Sequence, residues 1–147
     1  MKPIRLEIDG INSYSKKQLI DFEELTSRGL FGIFGNTGSG KSTILDAITL
    51  ALYGNIARSS KDFINSNSQK ALVDFEFELG MGQSRRYYKI TRRFKKKESK
   101  DKFSSVSDSV RLMVKDSSGE YQVIADKVGE VNTSIKSDRK STRLNSS

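Results

Sequence analysis

Gly35, Asn36, Thr37, Gly38, Ser39, Gly40, Lys41 and Ser42 complete the pattern G-x-x-x-x-G-K-[S/T], and Thr43 follows. Each residue type suits the gripping of a polyphosphate. Glycines let the backbone fold into a concave nest whose N–H groups converge on phosphate oxygens. A helix starting near Lys41 would aim its positive dipole end at the same point. Lys41 supplies a mobile cation for β- and γ-phosphates, Ser42 a hydroxyl for Mg²⁺, and Thr43 a bond to the α-phosphate. The ligand implied is Mg-ATP. The plainer alternative is a ligand-free glycine turn ahead of a buried helix.

The motif needs a buried strand before it and a helix after it. Leu30 to Phe34, bounded by Gly29 and Gly35, is short and apolar, as a buried strand should be. Ser42 to Tyr53 lacks internal Gly or Pro and stops at Gly54, which predicts a helix. Its polar residues Ser42, Asp46 and Thr49 make one narrow stripe, so most of its surface is expected to be buried.

Upstream, Pro3 to Asp9 alternates as a half-buried strand, and Gln18 to Phe22 reads as a second short strand. Downstream, Asn55 to Lys70 is polar and irregular. Leu72 to Leu79, Tyr87 to Phe94, Asp108 to Lys115 and Tyr121 to Ile124 then alternate as strands of a meander. The segment between, Lys95 to Ser107, reads as a charged loop, and a helix is expected to begin at Asp126. The fold class is therefore α/β, a P-loop fold joined to an antiparallel β meander.

Hydrolysis also needs a carboxylate held by an apolar strand. Ala71-Leu-Val-Asp74-Phe-Glu76 imitates one poorly, because its acids alternate onto the wet face. No catalytic residue is expected within the chain, which holds half of an ATPase site.

The 147 residues contain no cysteine and no histidine, which excludes disulfide scaffolds, thiolate metal sites and histidine base catalysis. No run approaches the roughly 18 apolar residues of a membrane span. The N-terminus has no uninterrupted apolar stretch of signal-peptide type. A cytoplasmic protein with no membrane partner is expected. The net charge of +8 lies wholly between Arg85 and Lys102, where ten basic residues face two acids. Such clusters favour polyanions. Arg92, Arg93, Lys95, Lys96 and Lys97 are the candidate DNA contacts, against the alternative of a merely solvated charged hairpin.

Residues 138–147, DRKSTRLNSS, have no periodicity and match one reading frame of a common sequencing adapter. They are expected to be non-native, leaving residues 1–137 as the native part.

The segments MKPIRLEIDGINSY, IDFEELTSRGLFGIFGNTGSGKSTILDAITLALYG, FIN and YYKITRRF together resemble the N-terminal region of the SbcC family of SMC-like, ABC-type ATPases. The resemblance runs from Met1 to about Lys136. It implies the N-terminal half of an ATPase head, with the acidic Mg²⁺ strand, signature and His switch in a distant second half beyond a coiled coil with a zinc hook. It implies a dimer of heads sandwiching ATP, action on double-stranded DNA in repair and recombination, an SbcD-type exonuclease partner and association with the nucleoid. Asn12 and Ser13 then fall in the early loop that approaches the nucleotide; Asn12 stands where some relatives carry Arg. Asn36 replaces the family's usual proline, and its N–H adds a donor. Another DNA-associated ATPase of SMC, RecF or RecN type stays open as an alternative. A transporter cassette would normally show an aromatic adenine-stacking residue and a glutamine loop soon after the P-loop. A non-enzymatic nucleic-acid module would bind ATP independently of Lys41.

Overall fold

The computed structural model describes residues 1–12, 14–27, 41–54, 63–80, 82–99 and 102–134, with the backbone alone at 25–27, 41–43, 99, 102 and 103. The expected strand Leu30–Phe34, the phosphate loop through Gly40, and the tail from residue 135 lie outside the described residues.

Six strands form one antiparallel sheet: β1 (Lys2–Asp9), β2 (Gln18–Asp21), β3 (Lys70–Leu79), β4 (Arg86–Ser99), β5 (Lys102–Lys115) and β6 (Tyr121–Ala125), in the order β2-β1-β3-β4-β5-β6. Among the described residues three α-helices accompany them: α1 (Phe22–Ser27), α2 (Lys41–Tyr53) and α3 (128–134). Alternation assigns the two faces of the sheet. Leu6 and Ile8 of β1, Val73, Phe75 and Phe77 of β3, and Tyr88, Ile90 and Phe94 of β4 point inward and are buried. Phe77 stacks on both Phe75 and Tyr88, with ring centroids 5.1 and 5.5 Å apart. Helix α2 covers this inner face against β3 and β4, burying Ala47, Leu50, Ala51 and Leu52. It is less enclosed than its narrow polar stripe suggested: Leu45 is half exposed, and Ile44 and Ile48 are only partly buried.

Two elements differ in kind from the sequence expectation, and α3 begins at residue 128 rather than at Asp126. The second strand stops at Asp21 rather than Phe22, and α1 begins there. The Asp21 carboxylate accepts the N–H groups of Glu23 at 3.0 Å and Glu24 at 3.1 Å, which makes it the N-cap. The sequence D-F-E-E carries that signal, an Asp followed by acids in the first turn.

The second difference is larger. The expected charged loop from Lys95 to Ser107 is instead mostly strand: β4 runs to Ser99 and β5 returns from Lys102, with Lys95 paired to Val106, Lys96 to Ser105 and Lys97 to Ser104. A bulge at Asp108 shifts β5 by one residue, so the pairing partners of the inward β4 positions pass from Leu112 and Val110 to Ser107, which is exposed, and Ser105, which is half-buried. Partners from a distant segment hold the extension. The Ser105 hydroxyl accepts the N–H groups of Phe63 at 3.2 Å and Ile64 at 3.4 Å, and Phe63 packs edge-on against Phe94.

Candidate nucleotide and nucleic-acid sites

Gly35 to Gly40 and the side chains of Lys41, Ser42 and Thr43 lie outside the described residues. What the structure describes is the element that presents them. α2 begins at Lys41 and runs 13 residues, so the N–H groups of its first turn, which have no partner within the helix, lie where the motif ends. The far end is closed by Gly54 in the left-handed region, φ 79°, whose N–H donates to the Leu50 carbonyl at 2.8 Å.

The early loop is rigidly tied. Asn12 adopts φ 49°, a conformation Asn tolerates better than most residues. Its N–H donates to the Phe63 carbonyl at 2.8 Å, and its carbonyl accepts Asn65 Nδ2 at 2.6 Å. Asn65 N–H donates in turn to the Gly10 carbonyl at 2.8 Å, and Ile11 forms a bridge with Ile64. The FIN segment is thus the partner of the Asn12 turn, a pairing that sequence reading did not supply. Ser13 lies outside the described residues.

The five basic candidates separate by position. Arg93, Lys95 and Lys97 are exposed. Arg92 is not a surface group: it is 0% exposed. Its Nε donates to the Ala51 carbonyl at 2.7 Å, and its Nη2 donates to the Leu52 carbonyl at 3.3 Å and to Asn132 Oδ1 at 2.9 Å. Burial pushes its pKa down to about 10, which leaves it protonated at neutral pH. The reason is parity: position 92 shares the inward face with Tyr88, Ile90 and Phe94. Lys96 shares that parity too. It is half-buried, and its Nζ donates to the carbonyls of Asn65 at 3.0 Å and Ser66 at 3.4 Å. Neither side chain is placed to meet a phosphate backbone.

On the outer face, Arg93 and Arg111 line a groove of about 380 Å³ with Lys89, Thr91, Ser109 and Asp126. Asp74, in the strand that imitates an acidic Mg²⁺ motif, borders the same groove. It faces Lys89 at 3.8 Å, and burial raises its pKa despite that lysine. Lys95 is paired with the bulged Asp108 at 3.4 Å.

A P-loop motif running into a helix packed on an antiparallel lobe is the fold of P-loop NTPase heads of the SMC-like class. A solved structure from work on ATP-driven dimerization and DNA-stimulated activation of SMC ATPases matches with a TM-score of 0.55 and 25% identity, covering 90% of this chain and 76% of that one. The chain belongs to the AAA domain family, whose model matches residues 5–146. Within that class its sequence is of SbcC type. It is 46% identical over 132 residues to the SbcC component of the SbcCD nuclease of Clostridium acetobutylicum, covering 90% of this chain. It is 41% identical over 138 residues to the same component from Bacillus subtilis, covering 92%. The chain spans 11% and 12% of the length of these two relatives. No helix among the described residues is long and apolar enough to cross a membrane.

Proposed function

We propose that this chain is the nucleotide-gripping N-terminal part of an SbcC-like ATPase, which couples ATP binding and hydrolysis to the processing of double-stranded DNA. One observation carries the reading: a complete phosphate-loop motif runs straight into α2, a helix held between the sheet and its own glycine stop. Gly35 to Gly40 would cradle the phosphates, with Asn12 and Ser13 close by. Lys41 would neutralise their charge, Thr43 would bond the α-phosphate, and Ser42 would ligate Mg²⁺. The helix fits such a ligand, because its first turn carries N–H groups without intrahelical acceptors and the positive end of the dipole. A bound Mg²⁺ would supply charge neutralisation at the β- and γ-oxygens. The catalytic carboxylate and signature would come from the second half of the head.

On this reading the partners are a second head, an SbcD-type nuclease and double-stranded DNA, and the setting is the cytoplasm and its nucleoid. Exposed Arg93, Lys95 and Lys97 would meet the DNA backbone. Residues 1–137 are the half-head and 138–147 an adapter-derived tail, which the genomic sequence of the locus would verify.

The test is ATP affinity in the assembled ATPase. Lys41→Ala should weaken Mg-ATP binding at least tenfold; unchanged affinity would sink the reading in favour of a binding module that does not use the loop.

A further inference from the structure

An arginine buried without a carboxylate partner among the described residues requires an explanation. At position 92 an apolar side chain would continue the inward face of Tyr88, Ile90 and Phe94 without the cost of desolvating a cation. Among the described residues the acceptors around Arg92 are neutral, and they come from two elements. The carbonyls of Ala51 and Leu52 belong to the last turn of α2, and Asn132 Oδ1 belongs to α3. The negative end of the α2 dipole compensates the charge. What the guanidinium adds over an apolar residue is geometry: its planar fork fixes the C-terminus of α2 and the side chain of α3 relative to one another.

The surroundings are fitted to it. Gly54 follows the last turn at φ 79°, and a Cβ there would lie 3.0 Å from Arg92 Nη1, so the glycine leaves the space the fork occupies. Nη1 is buried and has no hydrogen-bond partner among the described residues, which leaves its two N–H groups in reserve beside the helix end. α3 is seated on the core by Val131, which is fully buried. It is therefore a packed element rather than a frayed tail.

We propose that Arg92 is a positioning residue that couples the nucleotide loop to α3. This rests on the reading of Gly35 to Thr43 as the ATP site. α2 spans about 18 Å from Lys41 to Tyr53 at about 1.5 Å per residue, and a helix of that length moves as a rod. A shift of its N-terminal end on gripping phosphate is delivered at its C-terminal end to Arg92, and from there to Asn132. α3 thus reports on the occupancy of a loop at the other end of α2.

The experiment compares hydrogen exchange of 128–134 in the assembled ATPase, with and without Mg-ATP, alongside the ATP dissociation constant. In the wild type, ATP should slow exchange in α3 by about fivefold or more. Asn132→Ala should bind ATP within about twofold of wild type and lose the response, since the loop is untouched and only the link is cut. Asn132→Asp keeps an oxygen facing Arg92 and should retain it. Arg92→Lys cannot span both helices and should behave as Asn132→Ala does. Binding by the wild type without a response in α3, or a full response in Asn132→Ala, would overturn the coupling while leaving the ATP site standing. Absence of binding by the wild type would overturn both.

Discussion

Lys96 Nζ lies 3.0 Å from the carbonyl oxygen of Asn65, 31 residues earlier, and its backbone N–H donates to the Gln69 carbonyl at the same distance. The most basic stretch of the chain, Lys95-Lys96-Lys97, is therefore not one functional unit. Its middle member fastens the extended hairpin to the segment behind the Asn12 turn, while its neighbours face solvent.

That division predicts opposite phenotypes within one tripeptide. Lys96→Ala should destabilise the head by about 1–3 kcal/mol, the usual range for losing a charged hydrogen bond. Lys97→Ala should fall within about 0.5 kcal/mol of wild type, as exposed substitutions do. Denaturant titration of the two variants checks the contrast, and equal midpoints would contradict it.

DNA binding should show the reverse order. Replacing Arg93, Lys95 and Lys97 together by Gln should reduce the slope of log K against log salt by up to about 2.7, at about 0.9 for each phosphate no longer neutralised. Lys96→Gln should leave the slope near its wild-type value, because its ammonium is already satisfied by carbonyls. A triple variant with an unaltered slope would remove these three side chains from the DNA interface.

Gly54→Ala should cost about 1–2 kcal/mol from the left-handed backbone alone. Crowding of Arg92 Nη1 at 3.0 Å adds to that. Thermal unfolding of the variant provides the measurement. A change in melting temperature too small to resolve would show that the end of α2 accommodates a side chain after all.

Asp116 offers a pH signature. The Ser118 hydroxyl, then the Glu120 N–H, the Gln122 amide and the Ser118 N–H, hold its carboxyl down to about 2 against an ordinary value of 3.8. A depressed carboxylate contributes stability that is fully present above 3.8 and is lost as pH falls through about 2. Ser118→Ala should move the carboxyl midpoint up toward its ordinary value in an NMR titration of the side-chain carbon. An unmoved midpoint would show that the backbone donors and the Gln122 amide hold the charge without the hydroxyl.

Much of this architecture is legible in the chain read locally. The phosphate motif is a contiguous pattern, and the bounds of α2 follow from a helical run closed by Gly54. Strands β1, β3 and most of β4 follow from alternation, since an inward parity of apolar residues demands a buried face. The same parity places position 92 inward. A local reading gives more weight to the charge of Arg92 than to its place in the alternation, and so assigns it to the surface. The Asp21 cap was also present as a short-range signal, obscured by the apolar residues on either side of it.

The tertiary structure decided what depends on groups brought from far along the chain. Lys95 to Ser107 is charged and hydroxyl-rich, a composition that serves a solvated loop equally well. It becomes strand because Ser105 and Lys96 find the backbone of residues 63–69 as partners. Arg92 becomes an internal fastener because the carbonyls of Ala51 and Leu52 and the amide of Asn132, each 40 or 41 residues away, converge on it. Burial of a polar group is decided by whether its hydrogen bonds are met. Phosphate chemistry was written in eight adjacent residues, whereas the roles of individual cations depended on which carbonyls folding carried to them.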